Sequence, residues 1–420
     1  MRAATLSIGD ELVCGQVIDT NAGTVAAALL GCGIRVLRHV TVGDNEDQIS
    51  AVLQELAASH DAVVITGGLG PTADDVTAAA AARAVGRRLV ADAVAVAHVR
   101  KMTGLFFATA SAVAGIAQDK QALVPEGSTL LPNPVGTACG FMYSLQGCTL
   151  YFLPGVPSEM TGMLHDTVLP SLRGGEASGR VIRTASLNVF GCSEAAVDRL
   201  LAGIAAPDAG LYLGICVTFP WMRVTFRAEA PDHDAAMALL DPAVEQAKAR
   251  LGDSLFSAGD ESMDEVVVRL LRGNGCSLAL AESCTGGMIA QRMTSVPGSS
   301  GCFLEGAVTY GNQAKTRVLG VSQELLADYG AVSSEVAIAM ADGIRRASGS
   351  DLSLAVTGIA GPEGGSDEKP VGTVFIALSS RDRCQVRRFH FHGSREEIRV
   401  MTSWSGLDWL RRHLLRRPAV

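Results

Sequence analysis

A chain of 420 residues exceeds the size at which one hydrophobic core keeps growing, so two or three domains are expected. With 48% hydrophobic and only 19% charged residues, it is composed for burial rather than disorder. A formal net charge of −8 gives no general affinity for nucleic acid, and ten scattered cysteines without Cys-x-x-Cys spacing argue against a zinc site or a disulfide framework.

In chain order, the opening segment turns polar at Gly9-Asp10-Glu11, and the longer apolar stretches are interrupted before they reach membrane length. A cytoplasmic protein with no membrane partner is the expectation. Residues 3–8 and 62–65 read as short buried strands, and the alanine-rich residues 21–30 and 75–85 as helices. Between strand and helix lies Thr66-Gly67-Gly68-Leu69-Gly70-Pro71-Thr72-Ala73-Asp74-Asp75. Glycines let backbone amides approach a phosphate, and the carboxylates suit a cation or a proton. The same pattern also suits a structural turn with Asp74 as N-cap.

Residues 171–257 form the least informative stretch. Strand-like patches at 181–187 and 222–228 and helical ones at 193–204 and 234–251 are separated by Ala206-Pro207-Asp208 and Ala230-Pro231-Asp232. An α+β connector supporting an oligomer interface is expected, with no chemical site.

Beyond it, three apolar runs end in polar or glycine-rich loops. Residues 278–282 break at Ser283-Cys284-Thr285-Gly286-Gly287 into a helix-like segment. Residues 306–310 lead to Gly311-Asn312-Gln313-Ala314-Lys315, and residues 352–356 to the loop from Thr357 to Gly365. In an open α/β sheet such ends converge on the carboxyl edge, where ligands bind. Ser283 supplies a hydroxyl, Tyr310 and Lys315 are candidate bases, and Thr285 with the amides of Gly286 and Gly287 is a candidate oxyanion site. A lysine acts as base only if burial or a neighbouring cation lowers its pKa. Ser283 equally suits an ordinary N-cap. Thr357, Gly358, Gly361, Arg395 and Arg399 are candidates for binding a substrate phosphate. The basic cluster Arg411, Arg412, His413, Arg416 and Arg417 reads as a solvated helix end.

Ala281 to Gly287, Pro297-Gly298-Ser299-Ser300, Tyr310 with Asn312 and Lys315, Gly330-Ala331-Val332-Ser333, Thr357 to Gly365 and Lys369 to Val374 together resemble the C-terminal domain of the CinA family. Gly9-Asp10-Glu11-Leu12, Gly15 to Asn21, Val42-Gly43-Asp44-Asn45, Asn133-Pro134-Val135-Gly136-Thr137 and Leu153 to Met160 resemble its N-terminal domain. The resemblance implies an α/β protein: a molybdopterin-binding-like α/β domain over 1–170, the α+β connector over 171–257, and a CinA-type α/β domain over 258–420.

It further implies a pyridine-nucleotide salvage hydrolase. The C-terminal domain is expected to deamidate nicotinamide mononucleotide (NMN) without a cofactor, Ser283 acting as nucleophile with Lys315 and Tyr310 as activating partners and Asn312 within the substrate site. The N-terminal domain is expected to cleave the pyrophosphate of ADP-ribose or a related nucleotide with a divalent metal at Asp44 and Asp75. Asp10, Thr72 and Asp74 belong to that acidic site, and Gly67, Gly68, Gly70, Gly136 and Thr137 to its phosphate cradle. A homodimer is expected, with small nucleotides as ligands and no nucleic-acid partner. Two other readings stay open: a non-catalytic nucleotide- or pterin-binding N-terminal module, and a competence or DNA-damage accessory role. Every residue of the expected deamidase site lies beyond Ser262, so a fragment starting there is expected to retain it.

Overall fold

The computed structural model describes residues 1–106, 120–173 and 181–416; Arg417 of the basic cluster lies outside them. The chain forms two compact units, Met1–Arg183 with Ala228–Leu239, and Thr184–Arg227 with Leu240–Val420.

The first unit is built on six strands: β1 (Arg2–Ile8), β2 (Arg35–Val42), β3 (Ala62–Thr66), and, after the separate pair β4 (Leu89–Ala91) and β5 (Leu123–Pro125), β6 (Thr129–Leu131), β7 (Gly140–Leu145) and β8 (Cys148–Leu153). Their order is β2-β1-β3-β8-β7-β6, parallel from β2 to β8 and antiparallel beyond. Every residue of β3 is buried, as a central parallel strand covered on both faces requires. Its alternate residues enter two cores: Val63 and Ile65 pack with Leu53, Leu56 and Phe152, while Ala62 and Val64 pack with Val25, Leu29 and Met160.

Mostly within the second unit, β9 (Val181–Val189), β10 (Leu211–Thr218), β11 (Trp221–Ala230) and β12 (Leu255–Ala258) form a sheet ordered β10-β11-β9-β12. A second sheet, ordered β14-β13-β15-β16-β17, holds β13 (Leu278–Glu282), β14 (Phe303–Val308), β15 (Leu352–Gly358), β16 (Thr373–Ser380) and β17 (Cys384–His390). β13 is parallel to β14 and β15, whereas β15, β16 and β17 run antiparallel in turn. The three loops singled out from sequence therefore do leave one edge of one sheet.

Residue size sets how helices cover this sheet. Leu278, Leu280, Leu354 and Val356 face a large core shared with Leu271, Ile289 and Leu407. Ala279, Ala281 and Ala355 face the opposite side, packing with Val336, Met340 and Ile344. Small residues on this second face let the helix Ser334–Ser348 approach closely. That helix also abuts the end of the helix Asn312–Leu319: a Cβ added at Gly343 would lie 2.0 Å from the Leu319 carbonyl oxygen.

Gly343→Ala sets two effects against each other. Alanine gains about 1 kcal/mol of helix propensity, but the overlap is with backbone, and overpacking costs about 1–3 kcal/mol. The steric effect is expected to win, lowering the melting temperature of the second unit by several degrees at about 2–4 °C per kcal/mol. Thermal unfolding followed by circular dichroism checks this; a higher melting temperature would show that the helices separate without cost.

Candidate active site

Glu282, the last residue of β13, is 1% exposed, and a buried carboxylate needs partners. It finds them in the following helix. The amides of Gly287 and Ile289 donate to its Oε2 at 3.0 and 3.1 Å, and that of Ala290 to its Oε1 at 2.7 Å. The helix Met288–Thr294 therefore has its N-terminal amides filled by a carboxylate of its own chain. Gly286 donates its amide to the Ser283 carbonyl at 3.1 Å. The Gly286 and Gly287 amides expected to receive an oxyanion are thus already engaged, because the turn closes on itself and on Glu282. Thr285, 0% exposed, keeps a buried hydroxyl with no partner.

The anchored turn presents Ser283 to Lys315. Lys315 Nζ lies 3.1 Å from Ser283 Oγ, 2.9 Å from the Thr309 carbonyl oxygen and 3.1 Å from that of Tyr310. At 1% exposure the amine is sealed from water, and burial pushes its pKa below the ordinary 10.5. Negative charge on Cys284 would act the other way, but burial drives that thiol up to about 12 and keeps it neutral. A neutral amine has two N–H donors and one lone pair. In that form two carbonyls take the donors and the lone pair accepts from the serine hydroxyl, whereas an ammonium donates its third N–H to Ser283 Oγ.

Tyr310 enters differently than expected. Its carbonyl orients Lys315, whereas the residue is 59% exposed and its hydroxyl accepts from Arg395 Nη2 at 2.8 Å, so it is not the base beside Ser283. Arg395 also donates to the Gly361 carbonyl at 2.6 Å. Arg399 donates to the Thr285 carbonyl at 2.9 Å and to Glu396 at 2.8 Å. Both arginines rise from the first turns of the helix Arg395–Leu415, whose N-cap Ser394 forms a capping box with Glu397. Asn312 opens the lysine-bearing helix on its exposed side.

The loop after β15 is more structural than its composition suggested. The Thr357 hydroxyl donates to the Ala331 carbonyl at 2.7 Å and is not free for a phosphate. A Cβ on Gly358 would meet Val374 Cγ2 at 2.7 Å, and one on Gly361 would meet Val371 Cγ1 at 2.6 Å, so these glycines serve close packing.

The first unit holds a separate cavity of about 480 Å³, lined among others by Asn21, Asp44, residues 66–71, Asp74, Asp75 and Thr137. Not every expected cradle amide faces it. Gly67 donates to the Leu153 carbonyl at 3.1 Å, and Gly136 to Asn133 Oδ1 at 3.0 Å. Gly68, Gly70 and Thr137 do line the cavity. Asn133, 0% exposed, also donates to Glu159 at 2.7 Å and to the Ala138 carbonyl at 2.8 Å, organising this wall without any role assigned from sequence.

Asp10 and Asp44 exchange bonds, each carboxylate accepting the other's amide, at 3.1 and 2.9 Å. Burial raises the Asp44 pKa, and the carboxylates of Asp10, Glu11 and Asp74 raise it further against the pull of the Asp10 amide. Asp75 is tied instead to the amide and hydroxyl of Thr72, at 2.8 and 2.5 Å. Asp44, Glu11, Asp74 and Asp75 all line the cavity, and Asp10 stands behind Asp44 through their exchanged bonds.

Fold and site together define a multidomain α/β protein with a sealed serine–lysine pair in one unit and an acidic, glycine-lined cavity in the other. Family models match it along most of its length: a probable molybdopterin binding domain over residues 4–174, the damage-inducible protein CinA KH domain over 184–257, and the CinA C-terminal domain over 260–414. A CinA-like protein of Geobacter sulfurreducens is 51% identical over 415 residues, covering 99% of this chain and 100% of its own. Another from Geotalea daltonii is 50% identical over 420 residues, covering both chains fully. The chain belongs to the CinA family. The solved structure of the competence/damage inducible protein CihA from Agrobacterium tumefaciens is 40% identical, covering 37% of this chain and 96% of that one at a TM-score of 0.35. No helix among the described residues is long and apolar enough to cross a membrane.

Glu282→Gln tests the anchor of the serine turn. Glutamine keeps the size but turns an NH2 group toward a backbone amide, leaving a buried donor unpaired at a cost of about 1–3 kcal/mol. A lower denaturation midpoint with an unchanged slope is expected in guanidinium titration; an unchanged midpoint would show that the three amides do not depend on the carboxylate.

Proposed function

We propose that the second unit is a metal-independent amidohydrolase that converts NMN to nicotinate mononucleotide and ammonia. The carrying observation is the buried Lys315 amine, 3.1 Å from Ser283 Oγ, with two carbonyls occupying its N–H donors. Lys315 accepts the Ser283 proton as Oγ attacks the carboxamide carbon. The C–N bond then breaks, and the lysine proton leaves with the nitrogen as ammonia. Water attacks the resulting ester, Lys315 taking its proton and returning one to Ser283. The buried Thr285 hydroxyl, which has no partner, is the candidate side-chain donor for the oxyanion. Arg395 and Arg399 stand beside this edge as cations for the substrate phosphate, their present carbonyl partners being replaceable by a stronger anionic acceptor.

In the first unit we infer pyrophosphate cleavage of ADP-ribose or a related nucleotide. One or two of the cavity carboxylates, Asp44 foremost, would hold a divalent cation, which supplies neutralisation of phosphate charge. Among the described residues no three His, Cys, Asp or Glu side chains form a ready metal cage. That suits a cation such as magnesium, which commonly takes one or two carboxylates and draws further ligands from substrate phosphates and water.

Ser283→Ala is expected to abolish ammonia release from NMN while the circular dichroism spectrum stays unchanged. Lys315→Met is expected to fall nearly as far, since members of one catalytic unit are not additive. Near-normal turnover in the alanine variant would refute the nucleophile.

A chelator is expected to suppress ADP-ribose cleavage and spare NMN deamidation, and Asp44→Asn to mimic it at the first unit only. Parallel assays of the two products measure both effects. Equal loss of both activities on chelation would contradict separate chemistries.

A further inference from the structure

Building on the Ser283–Lys315 reading, we infer that the connector is a positioning element for the serine, acting through the last helix as a rigid brace. The helix Arg395–Leu415 touches the site and the connector at opposite ends. Near its start, Arg399 holds the Thr285 carbonyl, two residues from Ser283. At its middle, Ser403 accepts from Arg292 at 2.9 Å, and the Arg292 guanidinium lies 4.6 Å from the centre of the Trp404 ring. Arg292 belongs to the helix Met288–Thr294 and also pairs with Asp264 at 2.6 Å, its side chain only 12% exposed. That short helix is thus pinned at one end by Glu282 and at the other by the brace.

The connector fixes the brace in turn. Trp404 packs against Phe190 at 5.3 Å and Phe256 at 5.6 Å between ring centres, and Phe256 against Trp221 at 6.0 Å. Phe190, Trp221 and Phe256 all lie within residues 184–257. One turn from the helix end, Arg411 is 2% exposed, donating to Asp408 at 2.9 Å and to the carbonyls of Leu255, at 3.0 Å, and Asp253. Arg416 adds a bond to the Asp253 carboxylate at 2.8 Å. Arg411 of the basic cluster expected to be solvated is therefore buried against the connector, and Arg416 reaches it from the surface. Tilted and edge-to-face aromatic packing and a buried, fully bonded guanidinium resist displacement far better than surface ion pairs.

The connector's charge agrees with a bracing role. Residues 184–257 carry nine carboxylates against five Lys and Arg side chains, a balance unsuited to nucleic-acid backbones. A fragment starting at Ser262 would lose Phe190, Trp221 and Phe256 and leave Arg411 without its carbonyl acceptors.

The test uses the full chain in two forms. Phe256→Leu loosens the aromatic seat, and the pair Arg411→Met with Asp408→Asn removes the clasp without leaving a charged Asp408 facing the lost guanidinium. Each is assayed well below its own melting temperature for covalent labelling of Ser283 by a fluorophosphonate probe and for kcat and KM with NMN. Labelling rate and kcat are expected to fall together by about tenfold to a hundredfold, as slight misplacement of a catalytic group allows, with KM changed less than about twofold. A merely structural role would lower the melting temperature and leave the labelling rate of the folded protein at the wild-type value, and that result in both variants would overturn the inference. If the wild-type chain labels at Ser283 but does not consume NMN, the substrate assignment fails while the labelling comparison still decides the brace. A wild-type chain that neither labels nor turns over NMN would overturn both.

Discussion

The interaction on which the second unit depends is the burial of the Lys315 amine with no carboxylate of the described residues at hydrogen-bond distance. Transferring an ammonium out of water is costly unless charge or hydrogen bonds compensate, and the usual outcome is loss of the proton. Here the bonded groups are two carbonyls and a hydroxyl. These three acceptors satisfy an ammonium, and they satisfy a neutral amine equally when the hydroxyl donates to its lone pair. Burial, rather than the bonding pattern, is what shifts Lys315 toward the neutral form. Both carbonyls belong to Thr309 and Tyr310, just past β14, and the Thr309 amide is itself held by the Glu282 carbonyl at 2.8 Å. Sheet register, rather than flexible side chains, sets the geometry around the nitrogen.

Much of this was legible in the sequence, because strand ends followed by small residues report on backbone geometry. The three loops leave one sheet edge, and Ser283 and Lys315 meet although 32 positions apart. What sequence did not reveal is how backbone groups would be used. Glu282 caps the following helix from five to eight residues upstream, outside the usual cap positions, and the Gly286 amide closes on the Ser283 carbonyl, so neither glycine amide shows its engagement in the sequence. Tyr310 was recognisable as a site residue, yet its contribution is a carbonyl, for which residue type carries no signal. The glycines of the β15 loop were read as a phosphate cradle, but Gly358 and Gly361 fill spaces too narrow for a Cβ.

A similar division holds in the first unit. The glycine-rich turn and the acidic residues do meet at one cavity, while Gly67 and Gly136 spend their amides on the protein itself. Asn133 and Glu159 were visible within motifs but showed no role until their mutual bond and the closed turn at Gly136 were seen. The connector lacked any chemical motif because its contribution is packing. Phe190, Phe256 and Arg411 have no periodic relation along the chain, and only the fold brings them onto one helix.

Direct titration of Lys315 tests the central claim. In the full chain, with the lysine side chains isotope-labelled and the Lys315 resonance assigned by its loss in Lys315→Met, nuclear magnetic resonance reports its charge as pH changes. The folded-state pKa lies below the ordinary 10.5 because burial disfavours the ammonium, so the neutral amine must already accumulate at pH values where exposed lysines remain charged. In that window the unfolded chain binds the extra proton, and stability rises with pH until the unfolded lysine also titrates. A midpoint clearly below 10.5 is the predicted result. A midpoint at or above 10.5 would mean that Lys315 is held as an ammonium beside Ser283, and the lysine could not serve as the base.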